Sequence, residues 1–159
     1  MYKLWNTIKE TMETLSKKSG WRCFGTDEYK TILAMVASHE SGFGKARRQV
    51  GGGPARGVFQ MEKATHDDIW ENFINYNKNL KAGIQEIGYK KQWQEVENND
   101  VYAAIMSACL FARFQAKHPV PKDLESMAKH CKRFYNTEAG KATAEKYLND
   151  YKKIEHLLD

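Results

Sequence analysis

Glu40 heads the stretch HESGFGKARRQVGGGPARGVFQM, residues 39–61, where one carboxylate precedes a glycine- and arginine-rich middle and an apolar tail bearing Gln60. A carboxyl that stays protonated near neutral pH can act as a general acid. Glu40 continues the apolar stripe Tyr29, Ile32, Leu33 and Val36 of a predicted helix and falls at its C-terminal end. Partial burial and the negative end of the helix dipole both disfavour the charged form, so its pKa is expected to be raised. The same pattern also suits a surface carboxylate followed by Ser41-Gly42 as a helix stop, and the local sequence leaves both open.

Other chemistries fit this chain less well. GGGPARG lacks the lysine followed by Ser or Thr, and the strong preceding strand, of a phosphate cradle. His39 and His66 have no metal-ligand spacing and read as surface or hydrogen-bonded histidines. Cys23, Cys109 and Cys131 are odd in number and lack CxxC spacing, so neither a disulfide framework nor a zinc site is indicated, and Cys109 reads as core. No metal and no cofactor is expected. Lys45, Arg47, Arg48 and Arg56 either hold the loop in water or face an anionic substrate. Tyr135 and Asn136, in KRFYNT, fall at the end of a predicted helix, where capping and packing are their simplest roles. Trp70 and Trp93 sit at helical spacings and read as core.

The elements that must position these residues are nearly all helical. Leu4, Ile8, Met12 and Leu15 form one face of a first helix closed by Gly20, and Thr26 caps the second. The stretch 42–57, with six glycines and a proline, predicts a loop, and VFQM a short strand. From Thr65 to Trp93 the pattern is helical, with a break near Asn77 and a helix-interior Gly83 suited to a close crossing. VYAAIMSACLFARFQAKH is apolar almost all round and predicts the central core helix, ended by the prolines at 119 and 121. Two further helices are predicted over 121–135 and 143–158.

At 159 residues, with 42% hydrophobic and 28% charged residues, the chain is expected to form one mainly α domain over 1–159, with at most a very small β element near 50–61. The formal net charge of +5 favours polyanionic partners without choosing among them. The first residues, MYKLWNTIKETME, contain no apolar run of signal-peptide length, and the longest such run, ILAMVA, is too short to span a bilayer. Synthesis in the cytoplasm without an export signal, and no stable membrane insertion, are the expectations.

Taken in order, HESGFG, ARGVFQM, NLKAGIQEI and FYNT resemble the four motifs of the lytic transglycosylases of the lysozyme-like superfamily, over about residues 29–140. The ending PVPKDLESMAKHCKRFYNTEAGKATAEKYL is similar to that of compact members found in phages and prophages. The resemblance implies a lysozyme-like helical fold: an N-terminal helix over 1–20, the family-like core over 26–140 and a C-terminal helix over 141–159. It implies that Glu40 is the catalytic acid and that Ser41, Phe43, Phe59, Gln60, Tyr135 and Asn136 serve substrate binding, with Gln60 lining the sugar cleft and the Tyr135 hydroxyl orienting the carboxyl. Val58 and Phe59 stand where the family commonly has Leu and Met, so the Phe59 ring is expected to narrow the cleft or add a stacking surface.

The implied substrate is peptidoglycan, cut at the MurNAc-GlcNAc β-1,4 bond to leave 1,6-anhydro ends. Most glycosidases need a second carboxylate, and nothing in the spacing of Glu62, Asp67 or Asp68 assigns one. A muramidase that uses water, and a non-catalytic wall-binding virion component, stay open. The implied partners are glycan strands and phage tail or virion proteins, not nucleic acid. The implied setting is the periplasm or cell wall, reached from a virion or by holin-dependent release, with the chain a monomer in isolation.

Overall fold

The computed structural model describes residues 2–136 and 141–158. Among them the α-helices are α1 (Tyr2–Ser19), α2 (Asp27–Ser41), α3 (Lys63–Asn72), α4 (Lys78–Ile87), α5 (Asp100–Ala112), α6 (Leu124–His130) and α7 (Ala144–Ile154). Polar caps set several of their starts. Thr26 accepts from Tyr29 N at 3.3 Å, Asn99 from Tyr102 N at 3.1 Å, Asp123 from Ser126 N at 2.9 Å and Thr143 from Lys146 N at 3.1 Å. Gly20, at φ 76°, closes α1 as its position in the sequence predicts.

The centre of the domain is α5, buried continuously from Tyr102 to Ala112. Leu4, Ile8, Met12 and Leu15 of α1 are all buried, and α1 packs against α4, α5 and α2. On the other side of α2 lies α7, which buries Tyr147 and Tyr151. The chain is therefore a mainly α single domain in which α2 is sandwiched between the two terminal helices. No helix of the described residues is long and apolar enough to cross a membrane.

Three predicted boundaries move. The helical stretch expected from Thr65 to Trp93 breaks near Asn77 as predicted, where the Asn77 amide donates to the Phe73 carbonyl at 2.7 Å, but it ends at Ile87 rather than Trp93. The core helix ends at Ala112 rather than His118, because the amides of Phe114 and Gln115 close i→i−3 turns and Gln115 accepts the Tyr29 hydroxyl at 2.6 Å. VFQM is a turn, not a strand. Gly57 and Gln60 both have positive φ, and Val58 and Phe59 are buried together instead of alternating between faces. Pairing of β type among the described residues is limited to isolated bridges, Arg48 to Arg56 and Arg56 to Met61.

Gly83 has the role its place in a helix interior suggests. A Cβ there would lie 2.7 Å from the Ser19 nitrogen and 2.8 Å from its Cα, so α4 meets the end of α1 through bare backbone. Gly83→Ala gains helix propensity of about 1 kcal/mol but forces the two helices apart. Overpacking of this kind costs about 1–3 kcal/mol, so a net loss of stability in urea unfolding is expected; an equally stable or more stable variant would contradict the close crossing.

Candidate active site

The last turn of α2 and the loop after it build one wall of the site. Gly42 and Phe43 both stand at φ 61°, and the Phe43 amide donates back to Ala37 O at 2.9 Å, which stops the helix immediately after Glu40 and Ser41. The Ser41 hydroxyl donates to Val58 O at 2.6 Å and accepts from Gly44 N at 2.8 Å. This buried serine thus ties the end of the Glu40 helix to the turn that carries Gln60.

The loop from 44 to 61 is held from within. Arg47 forms a two-pronged pair with Asp100, with its Nη2 at 3.0 Å from Oδ2, and also donates to Glu97 O at 3.0 Å. Arg48 pairs with the Glu97 carboxylate at 2.8 and 3.2 Å, and Arg56 donates to the carbonyls of Gly53 and Ala55 at 2.7 and 2.8 Å. Arg48 holds the loop from the solvent side, with 71% of its side chain exposed, whereas Arg47 and Arg56 are partly covered and spend their donors on fixing the loop. Gly57 admits the Val96 carbonyl, which a Cβ would meet at 2.4 Å. The Gln60 amide nitrogen points at three carbonyls, Gly57 at 2.9 Å, Arg47 at 3.1 Å and Ala46 at 3.4 Å, so its Oε1 is the end left to accept from a ligand.

The facing wall comes from the chain after α6, which continues as a π-helical segment, Cys131–Asn136. The Tyr135 hydroxyl donates to Phe59 O at 2.6 Å and lies 3.2 Å from Ser107 Oγ, while its ring stacks on Phe111 at 5.6 Å. It braces the Gln60 turn and does not bond Glu40. Asn136 Oδ1 accepts from Lys132 at 3.1 Å. Thr137, the last residue of the fourth motif, lies outside the described residues.

Between the walls is a cleft of 860 Å³ lined by Glu40, Gln60, Glu62, Tyr135, Asn136 and Thr143, among others. Of the residues expected to serve substrate binding, Gln60, Tyr135 and Asn136 line it. Ser41, Phe43 and Phe59 do not: they are 3%, 4% and 1% exposed and stand behind the wall. The Phe59 ring therefore neither narrows the cleft nor offers a stacking face, because the turn at Gly57 directs it into the core. Asp67 and Asp68 face away, bound to Lys63 and His66 and to Arg113 and Asn72 respectively. Among the described residues Glu62 is left as the second carboxylate on the cleft. Among them too, no group of three or more His, Cys, Asp and Glu side chains could hold a metal ion.

Glu40 itself is largely covered, with 18% of its side chain exposed. Burial pushes its pKa up to about 7, against the donor influence of the nearby Tyr147 hydroxyl. That hydroxyl is buried and closes no hydrogen bond of standard geometry. Burial first, and then the Glu40 charge, raise the Tyr147 pKa in turn. The His39 ring packs on Tyr147 at 4.0 Å; its Nδ1 lies 2.8 Å from Asp150 Oδ2 and its Nε2 3.9 Å from Glu40 Oε1. Burial alone would raise Asp150, but the bonds from Lys146 and His39 hold it below its ordinary value. Reading the sequence did not find Tyr147, Asp150 or the role of His39. The one signal present was a terminal helix whose apolar stripe carries two tyrosines, at 147 and 151, beside Leu148 and Ile154.

No protein-family model matches the chain, and neither a curated protein nor a solved structure matches it.

The raised pKa carries a stability cost with a definite pH window. A carboxyl of pKa 4.5 unfolded and about 7 folded binds its proton more tightly in the folded state. Stability from this group is therefore fully present below about pH 4.5 and declines as pH rises toward 7. Glu40→Gln removes the dependence. The variant should exceed the parent by about 3 kcal/mol well above pH 7 and match it near pH 4; parallel unfolding curves at both pH values with no change in the difference would refute the buried-carboxyl assignment.

Proposed function

We propose that this protein cleaves the β-1,4 bond between N-acetylmuramic acid and N-acetylglucosamine in peptidoglycan, as a lytic transglycosylase with Glu40 as its single acid and base. The observation that carries the reading is a carboxyl held half-protonated near neutrality at the wall of a cleft. A general acid works best when its pKa lies near the working pH. The remaining lining, with Gln49, Gln60, Asn136 and Thr143, offers the amides and hydroxyls that recognise a sugar. The order of motifs shared with the lytic transglycosylases supports the same substrate.

In this mechanism the Glu40 carboxyl gives its proton to the glycosidic oxygen as the bond from the muramyl C1 to that oxygen breaks. The acetamido oxygen of the same sugar bonds to C1 as the leaving sugar departs. Glu40, now a carboxylate, takes the proton of the C6 hydroxyl, and O6 displaces the acetamido oxygen to close the 1,6-anhydro ring. No water is consumed. The enzyme needs one carboxylate, and the substrate supplies both nucleophiles.

Glu62 on the cleft is the observation that favours a second reading, in which it activates water and the product is a reducing end. Substitution separates the two. Glu40→Gln should lower turnover on purified cell wall by about 10²–10⁴-fold, whereas Glu62→Gln should keep most of it; comparable losses in both would favour hydrolysis, and undiminished clearing by Glu40→Gln would remove Glu40 from the chemistry.

The pH profile tests the surroundings of the acid. Activity should fall as pH rises through about 7, where Glu40 loses its proton. Tyr147→Phe keeps the ring and removes the donor that lowers the Glu40 pKa, so the alkaline limb of kcat/KM should move to higher pH. A limb that stays in place would show that the hydroxyl does not act on the carboxyl.

A further inference from the structure

The π-helical segment that presents Tyr135 and Asn136 to the cleft presents Arg133 and Phe134 to a second cavity, of 340 Å³. Three elements build it: the turn after α5 with Lys117 and His118, the last turn of α6 with Lys129 and His130, and the π-helical segment with Arg133. Among the described residues no carboxylate lines it. Elsewhere many arginines and lysines are matched: Arg47 with Asp100, Arg48 with Glu97, Arg113 with Asp68 and Lys30 with Glu13. Among the described residues Lys117, Lys129 and Arg133 make no ion pair, and Lys129 acts on Asp123, the cap of α6, only at a distance.

Aromatic packing fixes the arrangement. The Phe134 ring has the Arg133 guanidinium over it at 4.8 Å, His130 at 4.6 Å and His118 at 5.2 Å, with Phe114 behind at 4.5 Å. His130 is 7% exposed, stacks on Phe111 at 5.8 Å, and its Nε2 is buried without a hydrogen-bond partner. A buried, unpartnered ring nitrogen is costly, and here it stands among unneutralised cations. The unneutralised charges call for an anion that accepts hydrogen bonds. Donors from three directions and several positive charges suit the tetrahedral, doubly charged phosphate group better than a planar carboxylate, and the guanidinium fork matches two phosphate oxygens.

We propose that this cavity binds a phosphate group, held by Lys117, Lys129 and Arg133 beside the His130 ring. The site is separate from the cleft and independent of the reaction assigned to Glu40. Burial, followed by the charges of His118 and Arg133, pushes the His130 pKa down to about 4, so this ring is neutral at physiological pH. A bound phosphate offsets the surrounding positive charge, which comes from Lys117, Lys129 and Arg133, and so draws a proton onto His130.

The test follows the histidine side-chain resonances of the intact chain by NMR during titration with inorganic phosphate, with an oligomer of glycerol phosphate, and with chloride at matched ionic strength. The expected result is a rise in the His130 pKa of about one unit or more with a phosphate ligand, and affinity about tenfold weaker in Lys129→Ala/Arg133→Ala. Tighter binding of the oligomer would identify polymer-borne phosphodiester as the source, and tighter binding of inorganic phosphate the free ion. Lys117→Ala, in an exposed turn, provides the same comparison if the double variant unfolds. An unmoved His130 with both phosphate ligands, an equal shift with chloride, or undiminished binding in the variants would overturn the proposal.

Discussion

The Glu40 carboxyl is buried, and a helix supplied from the far end of the chain brings a hydroxyl beside it. Glu40 ends α2, and α7 lies along α2, placing the Tyr147 ring and hydroxyl beside the carboxyl and Asp150 beneath His39. The π-helical segment adds Cys131 and Tyr135 within reach of the same charge. The acid and its environment are thus encoded about a hundred residues apart, and the domain has to close before the carboxyl acquires its character. The continuously buried α5, against which α1, α2 and α3 all pack, supplies the core that withstands the cost of covering an ionisable group.

A second consequence concerns the loop after α2. Its composition suggests a mobile basic rim, yet its arginines are bound to Asp100, Glu97 and nearby carbonyls, and Gln60 is anchored by three carbonyl acceptors. Ser41 and Tyr135 then clamp the turn at 57–60 from its two sides, through Val58 O and Phe59 O. The cleft has a braced floor. Among the described residues, three cations without an ion pair, Lys117, Lys129 and Arg133, line the cavity between α5, α6 and the π-helical segment.

Much of this was legible in the sequence where one local rule dominates. The apolar periodicity of α1 and α2, the cap at Thr26, the stop at Gly20 and the bare-backbone crossing at Gly83 all follow from period, cap chemistry and side-chain size. The raised pKa of Glu40 also followed from its place on the stripe. What escaped were contacts between distant segments: whether a loop arginine meets solvent or Asp100 depends on where α5 starts, and whether Phe59 faces the cleft depends on the left-handed turn at Gly57. Tyr135 and Tyr147 show the same limit. Both are tyrosines near helix termini, and only the packing of α7 on α2 decides which hydroxyl faces the acid.

The central claim is that one carboxyl suffices because the substrate closes its own ring. Mass analysis of the muropeptides released from purified peptidoglycan tests it most directly. Glycan ends lighter by one water than hydrolysis products are expected, with the 1,6-anhydro ring on the muramic acid residue. Release of reducing muramic ends alone would contradict the claim and assign the attacking group to water.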